Sequence, residues 1–375
     1  MKPSKILVTC PKGITPILAQ EVSALGLPVV DRLVSGVVSE GTLLDCMKLN
    51  LWVRTGHRVH WLLDQFKARN PDQLYDKVRQ IPWEEYIPAD GYISIASSVW
   101  NPTIRDTRFA NLKTKDAICD RMRDIHGKRP NSGSDPTGVV VFVYWHGQRC
   151  SVYLDTSGEP LARRGYRKIP LKAPMQETLA AAVVLTSGWQ PEENFVNPMC
   201  GSGTLAIEAA LLGLNRAPGL DRRFAFMNHK DFNEAHWLGL VEDAKGRVQG
   251  KLPGRIIATD NESRAIAASR ENARAAGVES FLEFGACDFA KTEVPEGKGV
   301  VVFNPEYGER MGEAQKLIPV YRRIGDFLKT DCKGYRGYVF TGNKKLFNKV
   351  SLRPSRDWTF FNSNIECRLL EYEIY

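Results

Sequence analysis

Asn194-Phe195-Val196-Asn197-Pro198-Met199-Cys200-Gly201-Ser202-Gly203-Thr204 runs without a break into the apolar stretch Leu205-Ala206-Ile207. It reads as a short buried strand, a glycine turn and the start of a helix. Glycines in such a turn permit positive φ and let a ligand approach the backbone closely. The helix start offers N–H groups to a carboxylate or phosphate. No Gly-Lys-Ser/Thr follows, so the turn is not a phosphate-binding P-loop, and it lacks the Gly-x-Gly-x-x-Gly spacing of a nicotinamide dehydrogenase. Alone it is only a strand-to-helix connection; its surroundings give it meaning.

Outward from the turn, long units alternate. Helix Gln176 to Ser187 precedes the strand and helix Thr204 to Gly213 follows the turn. Strand Arg255 to Asp260, helix Arg264 to Ala276 and strands Phe281 to Ala286 and Gly299 to Asn304 come next. Helix Ile318 to Leu328, strand Arg336 to Thr341 and a last strand, Cys367 to Tyr375, complete the series. The alternation predicts an α/β fold with a doubly wound, mostly parallel, Rossmann-like sheet. Successive strands end in polar groups, on the edge where such sheets bind ligands. Asp260 can accept from both ribose hydroxyls of a nucleoside, and Asp288 from an adenine amino group beside the apolar Phe289. The fourth strand ends in Asn304-Pro305-Glu306-Tyr307-Gly308-Glu309-Arg310.

The first part of the chain is built from smaller units. Ile6 to Thr9, Ile17 to Leu25, Val29 to Val38 and Thr42 to Val59 read as strand, helix, strand, helix. Further on, Tyr92 to Val99 reads as a strand and Asp116 to Ile125 as a helix. Val139 to Trp145 and Arg149 to Leu154 read as a hairpin turned by His146-Gly147-Gln148. Cations crowd into Arg105, Arg108, Lys113, Lys115, Arg121, Arg123, Lys128 and Arg129, and again into Arg163, Arg164, Arg167, Lys168 and Lys172. Ala117, Ile118 and Met122 keep helical spacing, so the first group reads as the polar face of a helix that can meet phosphates.

Hydrophobic residues are 43% and charged residues 25% of the 375, with a net charge of +8. That suits a soluble protein of two or three domains with an anionic partner. The eight cysteines form no Cys-x-x-Cys pair, which argues against a zinc ribbon, an iron–sulfur cluster or a disulfide scaffold. Met1 to Lys5 is too short for a signal-peptide core, and no stretch approaches the ~20 apolar residues of a membrane span. The expectation is a cytoplasmic protein with reduced thiols, no metal and no membrane partner.

Taken together, the glycine turn and the strand ends resemble class I S-adenosylmethionine-dependent methyltransferases. More narrowly, the chain resembles the bacterial THUMP-domain RNA methyltransferases that modify the exocyclic N(2) of guanine in 23S ribosomal RNA. Arg163-Arg164-Gly165-Tyr166-Arg167, Ala173-Pro174-Met175-Gln176-Glu177-Thr178-Leu179-Ala180-Ala181-Ala182, Arg216-Ala217-Pro218-Gly219-Leu220, Phe340-Thr341-Gly342-Asn343, Phe361-Asn362 and Cys367-Arg368-Leu369 all follow that family's pattern. The likeness covers nearly the whole chain. It implies a ferredoxin-like piece at residues 1–65, a THUMP RNA-binding domain at 66–160 and a catalytic domain at 161–375.

The resemblance also implies roles. Asn197, Pro198, Cys200, Gly201, Ser202, Gly203, Thr204, Asp260, Asn261, Asp288 and Phe289 would hold S-adenosylmethionine. Arg105, Lys113, Lys115, Arg121, Arg123, Lys128, Arg163, Arg164 and Arg167 would hold RNA. Asn304, Pro305, Glu306 and Tyr307 would form the catalytic loop. There the Asn304 side chain and the Pro305 carbonyl accept the two amine hydrogens, while Tyr307 stacks on the base. Two positions depart from the family pattern: Asn197 stands where an aspartate is usual, and Glu306 where a second proline is usual. Glu177 or Glu208 would have to make up the charge lost at Asn197. The departures keep open a catalytically impaired RNA-binding or ribosome-assembly factor, and the domain pair also suits a tRNA guanine-N(2) methyltransferase.

Overall fold

The computed structural model describes residues 2–171, 175–308 and 313–375, with Glu313 described by its backbone alone. Met1, Lys172, Ala173, Pro174, Glu309 and Arg310, which figured in the sequence reading, lie outside the described residues. The chain divides into two compact units. One comprises Met1–Cys10, Leu18–Leu161 and Asp221–Asp243, the other Pro11–Ile17, Ala162–Leu220 and Ala244–Tyr375.

The first unit is built on β1 (Ser4–Thr9), β2 (Val29–Leu33), β3 (Gly36–Gly41), β4 (Arg58–Lys67), β5 (Tyr92–Trp100), β6 (Asn131–Gly133), β7 (Val139–His146) and β8 (Arg149–Asp155). These strands form one 8-stranded sheet in the order β2-β3-β1-β4-β8-β7-β5-β6. The helices before the second unit are α1 (Thr15–Ala24), α2 (Leu43–Trp52), α3 (Pro71–Gln80) and α4 (Thr107–His126). α2 packs on β3 and β4, α4 packs on β5, and α3 packs on α4. Alternation along the strands turns Val141, Val143, Trp145, Cys150, Val152 and Leu154 into the core. It leaves Ser98, Trp100, Tyr144, His146, Arg149, Gln65 and Lys67 exposed on the other face.

Two elements of the sequence reading change here. Val29 to Val38 is a hairpin rather than a single strand, with Leu33 opposite Gly36 and a β-bulge between Val29 and Asp31. Its Val34-Ser35 turn carries none of the glycine or asparagine signals that mark tight hairpins. The helix expected over Thr42 to Val59 stops at Trp52, because Val53 is extended (φ −67°, ψ 124°) and Arg58 opens β4. Periodicity from Val59 onward is that of a strand paired on both sides, by β1 and β8.

The second unit contains α5 (Glu177–Thr186), β9 (Asn194–Pro198), α6 (Thr204–Gly213), then α7 (Glu234–Gly246), which begins in the first unit, β10 (Ile256–Asp260), α8 (Ser263–Ala275), β11 (Glu283–Ala286) and β12 (Gly299–Phe303). It ends with α9 (Glu313–Asp331), β13 (Arg336–Thr341), α10 (Lys344–Phe347), β14 (Arg356–Asn362) and β15 (Ile365–Glu373). The sheet order is β11-β10-β9-β12-β13-β15-β14. β11, β10, β9, β12 and β13 are mutually parallel, while β15 runs antiparallel to both β13 and β14. This is a mixed, Rossmann-like sheet whose strand order reverses at β9 and β12, the switch point where open sheets bind ligands. β12 reads Gly-Val-Val-Val-Phe and is buried along its whole length, as a central parallel strand must be. Behind it, Phe289, Phe303 and Phe327 meet edge to face, with centroids 5.7 to 6.3 Å apart. Residues 221–243, part of the catalytic domain in the sequence reading, belong to the first compact unit.

Candidate functional site

Met199 (φ 60°), Gly201 (φ 55°) and Gly203 (φ 82°) give the turn after β9 its left-handed steps. A Cβ on Gly201 would meet nothing within 4 Å, so this glycine faces open space, while one on Gly203 would press on Ser269. The turn is held from three sides. The Gly201 N–H donates to Asp260 Oδ2 (2.9 Å) and Ser269 Oγ donates to the Gly201 carbonyl (2.7 Å). Asn272 Nδ2 donates to the Ser202 carbonyl (3.1 Å). Arg167 closes the third side: its guanidinium reaches Ser202 Oγ and Thr204 Oγ1 (both 3.2 Å), the Glu177 carboxylate (3.1 Å) and the Met175 carbonyl (2.7 Å). Ser269 and Asn272, one helical turn apart on α8, were missed from sequence; a small polar pair on an otherwise alanine-rich face was the available signal.

Asn197 is fully buried. Its Nδ2 donates to the Val302 carbonyl (2.8 Å), and its Oδ1 has no partner among the described residues. A buried acceptor with nothing to accept is costly and suits a ligand cation or N–H at this strand end. Neither glutamate substitutes freely for a missing anion here, since Glu177 is tied to Arg167 and Glu208 to Arg164. Burial pushes the Cys200 thiol up to about 12, so it is a packing residue of the turn and not a nucleophile.

Asp260, at the end of β10, accepts from Gly201 and, through Oδ1, from the Glu262 N–H (3.1 Å); Asn261 beside it is exposed. It both shapes the turn and presents a carboxylate to the space above it. Replacing Asp260 by alanine is expected to weaken S-adenosylmethionine binding by about 1–3 kcal/mol, since a charged acceptor is lost. Unchanged affinity in isothermal titration would remove Asp260 from the site. Asp288 caps the next turn, and its Oδ1 accepts from the Ala290 N–H (2.9 Å) and from Arg323 (2.6 Å). The Arg323 guanidinium holds this carboxyl below its usual range, and both of these bonds fall on Oδ1. Phe289 corrects the sequence reading. It points into the core, and Arg323 covers its ring at 4.8 Å, so it is not an open wall for an adenine.

The loop after β12 is also rearranged relative to expectation. The Tyr307 hydroxyl donates to Asn304 Oδ1 (3.0 Å), the atom assigned to a substrate amine. Its ring lies 6.3 Å from that of Phe340, and a Cβ on Gly342 would come within 2.9 Å of it. Tyr307 is therefore half-buried, packed against Phe340 and Gly342, and burial holds its hydroxyl protonated. Asn343 Nδ2 donates to the Tyr307 carbonyl (2.8 Å) and Tyr321 donates to the Glu306 carbonyl (3.1 Å). These bonds fix the backbone where the second proline is missing. Pro305 is buried and the Glu306 side chain is exposed.

The basic residues assigned to RNA divide sharply. Arg164 is buried against Glu208 (2.9 Å), whose other oxygen accepts from Tyr166 (2.8 Å), and Arg167 belongs to the glycine turn. Both are internal supports because their carboxylate partners lie inside the same unit. Arg163 remains exposed. On and around α4, Lys113 pairs with Asp72, Lys115 with Asp116, Arg121 with Glu84, and Arg123 and Arg129 with Asp120. That face is largely neutralised, which weakens its claim on phosphate; Arg105 and Lys128 stay exposed without an ion pair among the described residues. No group of three or more His, Cys, Asp or Glu among the described residues is placed to hold a metal. No helix there is long and apolar enough to cross a membrane.

Comparison with known proteins supplies the family. Residues 164–371 match the RMKL-like methyltransferase domain, 5–60 the RlmL ferredoxin-like domain and 68–155 the THUMP domain. The chain is 37% identical to a ribosomal RNA large subunit methyltransferase K/L of Syntrophotalea carbinolica, over 99% of this chain and 54% of that protein. It thus spans about half the length of the K/L relatives. A Synechocystis protein named as a candidate RNA methyltransferase is 34% identical over 98% of this chain and 96% of its own length. Among solved structures, a candidate methyltransferase complexed with SAH superposes with a TM-score of 0.92 at 26% identity, covering 100% of this chain and 99% of that one. With a methyltransferase match over more than half its length and a full-length relative, the chain belongs to the RMKL-like RNA methyltransferase family, carrying RlmL-type ferredoxin-like and THUMP domains before its catalytic sheet.

Proposed function

We propose that the protein transfers a methyl group from S-adenosylmethionine to the exocyclic N(2) of a guanine in 23S ribosomal RNA, in the cytoplasm. The observation that carries the reading is the convergence, at the carboxyl ends of β9, β10 and β12, of the glycine turn, Asp260 and Asn304-Pro305. The open space over Gly201 and the unpaired Asn197 Oδ1 support a bound cofactor. In this reading the Gly201 turn and Asp260 hold the ribose end, Asp288 Oδ2 the adenine, and Asn197 Oδ1 the ammonium.

When bound, the cofactor supplies an electrophilic sulfonium methyl, so positioning can account for much of the rate. A guanine amine is a poor nucleophile because its lone pair is delocalised into the ring. Asn304 Oδ1 and the Pro305 carbonyl accept its two hydrogens, which draws the nitrogen towards a pyramidal shape and aims the lone pair. Asn304 Oδ1 carries two lone pairs, so one can keep the Tyr307 hydroxyl while the other takes an amine hydrogen. Residues 1–160 serve to hold the RNA. A second reading, a scaffold that binds RNA without modifying it, draws on Glu306 at the position of the usual second proline. Mass-spectrometric nucleoside mapping of 23S ribosomal and transfer RNA, from cells with and without the gene, tests the proposal. Loss of one N(2)-methylguanosine from 23S RNA is expected. Loss from tRNA would move the substrate, and no change in any RNA would sink the enzyme.

A further inference from the structure

Across the exposed face of the first unit's sheet, four residues stand in one register line. Lys67 on β4 faces Arg149 on β8, Arg149 faces His146 on β7, and His146 faces Trp100 on β5. Neighbours in a line lie about 4.8 Å apart, so it runs for about 14 Å, a length that suits one or two nucleotides. The next line on the same face is Gln65, Ser151, Tyr144 and Ser98. Neither line contains a carboxylate, and Lys67 and Arg149 make no ion pair with a described residue. The contrast with α4 is direct, since most cations there are held by aspartate or glutamate.

The rings are arranged as a platform. Trp100 stacks on His146 with centroids 4.7 Å apart and planes 19° apart, and Tyr144 lies 6.4 Å from His146 with planes only 9° apart. Trp100 is 68% exposed and Tyr144 42%, so large apolar rings are presented to solvent where nothing in the unit covers them. Isolated exposed aromatics need no explanation, but aligned rings beside unpaired cations do. The same face continues across β4 into a hollow of about 310 Å³ lined by Lys5, Leu7, Leu62, Gln65 and Tyr153 among others.

We infer that this sheet face binds a single-stranded segment of RNA, with bases stacked on Trp100 and Tyr144 and phosphates on Lys67 and Arg149. The inference rests on the RNA reading above and names the surface and the mode. Stacking rings tolerate any base and cations track the backbone, which is the combination that recognises unpaired strands and not duplexes. Charge complementarity selects RNA over a protein partner, because the cations stand next to the rings without a neutralising neighbour.

The test uses the full chain and a fluorescein-labelled, unstructured 12-nucleotide RNA. Trp100→Ala and Tyr144→Ala should each weaken binding at least about fivefold, and the pair more, since a stacked base contributes on this scale. Lys67→Ala with Arg149→Ala should flatten the dependence of log affinity on log salt by about 1.4, from two lost phosphate contacts. These side chains are exposed, so circular dichroism and S-adenosylmethionine affinity should stay as in the wild type. Trp100→Phe separates stacking from mere support: affinity should persist, whereas the part of the tryptophan quenching caused by RNA at Trp100 should vanish. Wild-type RNA affinity in all the variants overturns the inference but leaves the RNA reading standing. Full RNA affinity combined with loss of co-sedimentation with large ribosomal subunits reassigns the face to a protein and equally overturns it. If the wild type binds no RNA of any kind, both the inference and the reading beneath it fail.

Discussion

Asn304→Ala is expected to slow methyl transfer by about 10²–10³-fold, the usual cost of removing one preorganised polar group that acts on the reacting atoms. Cofactor affinity should stay unchanged, because the residue acts only where the amine is activated. The expected signature is a fall in kcat and kcat/KM together, measured in single turnover with saturating cofactor. The structure adds a second consequence. Asn304 Oδ1 is also the acceptor of the Tyr307 hydroxyl, so its removal frees Tyr307 as well. Tyr307→Phe separates the two effects, since it clears Asn304 while keeping the ring. Because Asn304 Oδ1 can serve both partners, Tyr307→Phe should keep most of the activity while Asn304→Ala loses it. Equal, small effects from both would mean that Asn304 serves only to anchor Tyr307, and the amine would need another acceptor.

Glu208→Gln should destabilise the second unit by about 3–5 kcal/mol, the range found when one member of a buried ion pair is removed. Arg164 and Glu208 side chains are 3% and 0% exposed, so water cannot replace the lost anion. Glutamine keeps an oxygen for the Tyr166 hydroxyl, whose bond to Glu208 is 2.8 Å, and so isolates the charge from the hydrogen bond. The melting midpoint should fall by about 6–20 °C, since about 1 kcal/mol moves a domain of this size by about 2–4 °C. Adding Arg164→Met should recover most of the loss, because the buried charge left without this carboxylate, and not the missing carboxylate itself, is what costs. A single substitution that leaves the midpoint within a degree of wild type would show that the pair is solvated and that its burial is incidental.

The two arginines 164 and 167 show where reading from sequence stops. Their crowding suggested a phosphate-binding cluster, yet one neutralises a glutamate in α6 and the other knits the glycine turn to α5. The same holds on α4, where Arg121 meets Glu84 from 37 positions away. A charge run tells how many cations there are; which of them is free depends on partners brought close by folding. The sheet line from Lys67 to Trp100 is the converse case. Its residues are scattered over four strands, and no window of sequence joins them.

What the sequence by itself determined is whatever local chemistry controls. The turn after β9 needs glycine where φ is positive, the helix starting at Thr204 follows from an apolar run, and β12 is apolar throughout because both its faces are covered. Those features, with Asp260, Asp288 and Asn304 at successive strand ends, were legible as a parallel sheet with polar groups gathered at one edge. The tertiary structure alone decided that Phe289 faces the core, that Tyr307 hydrogen-bonds Asn304, that residues 221–243 join the first unit and that most of the basic helix is neutralised. Each of these depends on side-chain direction and on contacts between distant parts of the chain. Backbone periodicity and turn propensity carry no information about either, because the energies that settle them come from packing and charge pairing across the fold.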